Sequence, residues 1–145
     1  MKIKTASEKE TEELGRKIAS RISPRKKGAT KIFLKGDLGS GKTTFVKGFA
    51  RHFDLKEITS PTFVVMKRYP IEDEFLFLYH LDFYRLEEGD RLGDLEMEAI
   101  FEARENIVLI EWPEKSGFRE GATVIKFKFV SEKEREIKVP NNLLD

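Results

Sequence analysis

The stretch Gly36-Asp37-Leu38-Gly39-Ser40-Gly41-Lys42-Thr43 satisfies the pattern G-x-x-x-x-G-K-[ST] in full. The glycines let successive backbone amides turn inward on an anion, and a helix beginning near Lys42 adds the positive end of its dipole. In such a loop Lys42 reaches the β- and γ-phosphates and the Thr43 hydroxyl ligates magnesium. The phosphate-contacting set is then Gly36, Asp37, Leu38, Gly39, Ser40, Gly41, Lys42, Thr43 and Thr44. An ordinary glycine turn capping a helix needs neither the lysine nor the third glycine. The flanks supply the required context: Thr30-Lys31-Ile32-Phe33-Leu34 is β-rich, and Phe45, Val46, Phe49 and Ala50 keep helical spacing up to His52 or Phe53. Strand, glycine loop and helix make the first half of a βαβ unit, so the chain has to build an α/β layer around it. A bound nucleoside triphosphate is expected, with an exposed, phosphate-facing Lys42.

The remaining elements fit that frame. Ser7 and Glu10 form a capping box, and Leu14, Ile18 and Ile22 recur at helical spacing, which predicts a helix over 8–22 ended by Pro24 and Gly28. Two β-rich runs, Thr62 to Tyr69 and Phe75 to Leu81, flank the polar turn at 71–74 and predict an antiparallel hairpin. Residues 94–104 read as a helix with Leu95, Ala99 and Ile100 inward. Ile107-Val108-Leu109-Ile110 shows no alternation, as expected of a strand covered on both faces. Thr123 to Val130 and Arg135 to Val139 predict a final hairpin. The expected fold is a three-layer α/β domain, P-loop NTPase-like, with a mostly parallel central sheet and a C-terminal β-hairpin. With 145 residues, 39% of them apolar, residues 1–145 are expected to form a single P-loop domain.

Charge and cysteine content narrow the function. Twenty-seven basic and 26 acidic residues leave a net charge of +1, against a protein whose main task is gripping nucleic-acid backbone. No apolar run approaches the roughly 18 residues of a membrane span, and the N-terminus, MKIKTASEKETEE, has no secretory apolar stretch. Zero cysteines exclude disulfides and thiolate metal sites. A soluble, cytoplasmic protein is expected, and its Lys- and Glu-rich composition resembles that of heat-adapted proteins.

Hydrolysis needs more than a phosphate loop; an acid at the end of an adjacent strand must hold the magnesium shell or orient water. Asp82, after Phe75–Leu81, and Glu111, after Ile107–Ile110, are the candidates; the alternative for each is a surface acid. Trp112, the only tryptophan, suits either the core or a partner surface. Ser60-Pro61-Thr62-Phe63 lies where a switch segment reaches magnesium or the γ-phosphate. His52 and His80 lack a metal-ligand pattern, although His80 lies near Asp82. Arg85 follows Asp82 by three residues, and 133–138 reads as the solvated face of a hairpin.

GDLGSGKTTF, SPTF, HLDFYRL and EWPE together, in this order and rough spacing, resemble the TsaE (YjeE) family of small P-loop ATPases in bacterial threonylcarbamoyl-adenosine synthesis on tRNA. The resemblance covers nearly the whole chain. It implies a P-loop α/β fold, ATP and Mg²⁺ as cofactors, and partnership with TsaB and with TsaD, which transfers threonylcarbamoyl to the adenosine beside the anticodon. tRNA is then reached only indirectly, and no membrane is involved. Carried over, Lys42 and Thr43 bind phosphate and magnesium, Thr62 belongs to the switch-like loop, and Asp82 is the catalytic or water-orienting carboxylate. Glu111 helps hold magnesium, and Trp112 lies on the nucleotide and partner side. Adenine contacts fall to Thr11 and Lys133.

The runner-up is a small P-loop kinase acting on a metabolite or nucleoside, for which Arg119 is the one lid candidate. A GTPase would need an N-K-x-D stretch, which is absent. A module that holds ATP structurally is a further alternative. Neither an arginine finger nor a glutamine in SPTF is evident, so hydrolysis is expected to be weak alone and stimulated by partners.

Overall fold

Ser7 starts the first helix by local chemistry. Its hydroxyl accepts the Glu10 amide at 3.1 Å, while the Glu10 carboxylate accepts the Ala6 amide. Helix α1, Glu8–Arg21, buries Thr11, Leu14, Ile18 and Ala19. Helix α2, Lys42–Arg51, buries Phe45, Val46, Phe49 and Ala50. A Cβ on Gly48 would lie 1.9 Å from the Glu12 carbonyl oxygen, so glycine alone lets the two backbones touch there. That contact seats α1 directly beside the phosphate loop.

The computed structural model describes residues 1–56, 66–84, 94–115 and 121–144. Seven strands form one sheet: β1 (Lys2–Thr5), β2 (Thr30–Lys35), β3 (Met66–Pro70), β4 (Phe77–Asp82), β5 (Asn106–Glu111), β6 (Thr123–Phe129) and β7 (Arg135–Lys138). Their order is β1-β7-β6-β2-β5-β4-β3, which puts the strand before the glycine loop in the middle. β2 runs parallel to β5 and β6, and β4 parallel to β5. β1–β7, β6–β7 and β3–β4 are antiparallel. Both expected hairpins are present, but the sheet is mixed rather than mostly parallel. The unexpected strand is β1, a short edge strand paired with β7; only Ile3 among its residues joins the apolar core.

One face of the sheet packs under α1 and α2 through Ile32, Leu34, Leu78, Ile107, Leu109, Ile125 and Ile137. The other face packs Phe33, Tyr79, Leu81, Val108 and Ile110 against Met97 and Ile100 of α3, Asp94–Glu102. Ala99, expected to face inward, is exposed, and Met97 takes the buried position; the Leu95 side chain lies outside the described residues. β5 is buried along its whole length, as its unbroken apolar run requires. In the 71–74 turn Ile71 is buried with Phe75, so the turn is less polar than expected. No helix among the described residues is long and apolar enough to cross a membrane.

Candidate functional site

β2 delivers the glycine loop to the C-terminal edge of the parallel strands, where α/β sheets bind ligands. A Cβ on Gly36 would lie 2.6 Å from the Phe127 carbonyl oxygen and 2.6 Å from Ser40 Oγ, at φ 158°. This position admits only glycine, because the loop closes against β6. Gly41 caps α2 without offering a side chain to its first amides, which suits an anion at the helix N-terminus. The loop opens on a cavity of about 290 Å³ lined by Leu38, Gly39, Ser40, Gly41, Lys42, Thr43 and Thr44. Gly36 and Asp37 are not among the lining residues. Gly36 instead accepts a hydrogen bond from Lys42 Nζ.

Lys42 is only 4% exposed, contrary to the expected exposed side chain. Its ammonium sits 4.0 Å from the centroid of the Trp112 ring, a cation–π contact. Burial holds its pKa below the ordinary lysine value, and the charges of Glu111 and Asp82 oppose that shift.

Parallel registry brings the two carboxylates together. Asp82 ends β4 directly opposite Glu111, which ends β5, and both line the cavity. Burial raises the Asp82 pKa above the ordinary carboxylate value; the Tyr84 amide, donating to Oδ1 at 3.0 Å, works against this, and the Glu111 charge adds to it. Glu111 is 3% exposed, so it is no surface acid. Its Oε2 lies 2.6 Å from Nε2 of His80, which is fully buried. His80 Nδ1 has no hydrogen-bond partner among the described residues. The usable signal for this pair was parity: His80 and Asp82 share a face of β4, and that face meets Glu111.

Trp112 is half-buried and lines the cavity, with its ring centroid 5.1 Å from that of Tyr84. Its φ of +56° is left-handed backbone, a costly conformation for a bulky residue that turns the ring back over Lys42. Thr11 and Lys133 also line the cavity, although the Thr11 hydroxyl is 2.7 Å from that of Thr5. Arg135 was missed, because it lies in a stretch read as solvated. It lines the cavity, packs 3.5 Å from where a Gly41 Cβ would be, and hydrogen-bonds the Ser131 and Glu134 carbonyls at 2.5 and 2.9 Å. Thr62, the rest of SPTF, Arg85 and Arg119 lie outside the described residues.

The donors suit a hard cation: the Thr43 hydroxyl and two carboxylates are all oxygen ligands facing one cavity. No cluster of three or more His, Cys, Asp or Glu positioned to cage a metal occurs among the described residues. Magnesium bound largely through water and substrate phosphate needs no such cage.

Comparison with known proteins identifies the family and the fold. The sequence profile of the family "Threonylcarbamoyl adenosine biosynthesis protein TsaE" matches residues 5–138. A Bacillus subtilis protein named tRNA threonylcarbamoyladenosine biosynthesis protein TsaE is 38% identical over 113 residues, 77% of this chain and 66% of that one. The Aquifex aeolicus protein of the same name is 31% identical over 133 residues, 90% of this chain and 91% of its own. A Nostoc relative is matched over only 55% of its length, so the chain spans less than two thirds of some relatives. The crystal structure of YdiB from Bacillus subtilis superposes with a TM-score of 0.62 at 33% identity, covering 99% of this chain and 88% of that one. The chain belongs to the TsaE family of threonylcarbamoyl adenosine biosynthesis proteins.

Proposed function

We propose that residues 1–145 act as a single magnesium-dependent ATPase domain serving threonylcarbamoyl modification of tRNA in the cytoplasm. The observation that carries this is the meeting of a complete phosphate loop, buried Lys42 and the registered pair Asp82–Glu111 on one cavity. The loop amides and Lys42 hold the β- and γ-phosphates, Lys42 leaving Gly36 and Trp112 to do so. Thr43 and Glu111 are the magnesium-binding side chains. A magnesium ion held by them would supply neutralisation of the charge that develops on the transferred phosphoryl group. Asp82, whose pKa burial raises above the ordinary carboxylate value, orients the attacking water. Thr62 takes the switch-like role that the family resemblance implies. Thr11 and Lys133, which line the same cavity, contact the adenine base. Trp112 faces the partners, TsaD and TsaB, through which tRNA is reached. The names of the relatives support the role in threonylcarbamoyl modification, and the site chemistry supports the ATPase activity.

The test is calorimetric titration with Mg-ATP together with phosphate release. Wild type is expected to bind and slowly hydrolyse ATP, and Lys42→Ala to lose binding with its fold intact. Affinity in Lys42→Ala within about threefold of wild type, under ~0.7 kcal/mol, overturns the assignment.

A further inference from the structure

Strand registry creates a feature that the near-neutral composition conceals. Lys2 of β1 stands opposite Lys138 of β7, Lys138 opposite Lys126 of β6, and Lys126 opposite Lys35 of β2. Residues directly opposite share a face, so four lysines form one row across four adjacent strands. The neighbouring row on that face is Lys4, Glu136 and Lys128. Like charges directly opposite one another destabilise a sheet, and here three successive pairings are lysine on lysine. Only Glu136 relieves them, its carboxylate 3.6 Å from Lys2 Nζ.

The alternate residues of these strands, Ile3, Ile125, Phe127 and Ile137, pack toward α1 and α2. The lysine face is therefore the opposite one. α3 packs on this same face, but against Phe33 of β2 and Val108 and Ile110 of β5; among the described residues no helix covers the lysines of β1, β7 and β6, which stay exposed. Lys2, Lys4, Lys126, Lys128 and Lys138 are exposed and Lys35 is half-buried. The two rows take six of the 27 basic residues and one of the 26 acidic ones, a local +5 that leaves the remainder of the chain at −4.

We infer that this face binds the phosphate backbone of RNA, so that the protein touches tRNA itself rather than reaching it only through partners. Flat rows of lysine spaced by the roughly 4.8 Å between strands suit a line of phosphates. No aromatic side chain stands in either row, so the contact positions the backbone and reads no base. The same rows carry no apolar residue to insert into a bilayer, which favours a soluble polyanion over a lipid surface. Lys35 immediately precedes Gly36, so an RNA lying along the first row ends beside the phosphate loop. The inference rests on family membership and not on the ATPase reading, and the two fail separately.

The experiment is fluorescence anisotropy of a labelled, unmodified tRNA transcript with the full chain, over about 50 to 200 mM salt. Four to six phosphate contacts predict weak binding whose log K falls with log salt at a slope of about −3 to −5. Lys126→Glu/Lys138→Glu is expected to weaken binding at least tenfold at the lowest salt, with its circular dichroism and Mg-ATP affinity unchanged. Lys9→Glu/Lys17→Glu, the same charge change on exposed positions of α1, is expected to leave most of the binding. Equal loss in both double variants, or no binding by wild type at low salt, overturns the proposal. Association with phosphatidylserine vesicles but not with tRNA overturns it in favour of a membrane surface. Unchanged tRNA binding together with lost Mg-ATP affinity in the Lys126/Lys138 variant overturns it as well.

Discussion

Replacing His80 by phenylalanine tests how the site holds Glu111, the carboxylate proposed to bind magnesium. Phenylalanine preserves a ring of similar size in a fully buried position and removes the donor 2.6 Å from Glu111 Oε2. A hydrogen bond to a charged group contributes about 1.5–3 kcal/mol, and losing the outer partner of a metal ligand costs about 10–100-fold in metal affinity. Both magnitudes apply in full here, because Glu111 is 3% exposed and water is poorly placed to substitute. The magnesium-dependent gain in ATP affinity is expected to fall about 10–100-fold in His80→Phe, while ATP affinity measured in chelator stays near that of wild type. His80→Gln, which retains a donor amide, is expected to recover most of the magnesium effect. Calorimetric titration with and without Mg²⁺, alongside thermal unfolding, reads both terms. Unaltered magnesium dependence in a folded His80→Phe protein refutes the positioning role. Equal losses with and without magnesium assign His80 to fold stability alone.

Asp82→Asn is expected to keep Mg-ATP binding and lose turnover; full activity would show that Asp82 is dispensable. Burial holds the Asp82 pKa above 3.8, so the folded state keeps that proton more tightly, and the associated stability is present below about pH 3.8 and lost as pH rises through the folded value. The asparagine variant therefore gains stability relative to wild type from about pH 4 toward neutrality; thermal unfolding showing a constant or reversed gap contradicts this. Trp112→Ala is expected to retain ATP affinity but lose stimulation of hydrolysis by the TsaB–TsaD complex, while wild type alone turns over slowly; fast turnover by the isolated chain, indifferent to the complex, refutes the dependence on partners. Gly48→Ala drives a methyl group into the Glu12 carbonyl and is expected to cost about 1–3 kcal/mol or more, read as a lowered denaturation midpoint; wild-type stability would mean that α1 and α2 separate freely.

The phosphate loop was legible because its requirements are local. A turn of amides on an anion calls for glycines at fixed spacing, and the lysine and threonine follow within one helical turn. The buried strand at 106–111 was legible for a similar reason, since burial on both faces removes alternation from the sequence itself. Asp82 and Glu111 were identifiable one at a time as acids at strand ends. That they stand opposite each other, with His80 behind Glu111, depends on the registry of β4 with β5, which no short-range pattern encodes. The same holds for β1, whose partner β7 lies at the other end of the chain, and for Arg135, brought to the loop by the fold of its hairpin. The row of lysines is invisible to composition because acids elsewhere cancel it. Sequence alone determined the chemistry that each segment carries, since propensity and turn geometry act over a few residues. Tertiary structure decided which of those chemistries meet, because a shift of one residue in strand pairing would turn each of these side chains to the opposite face.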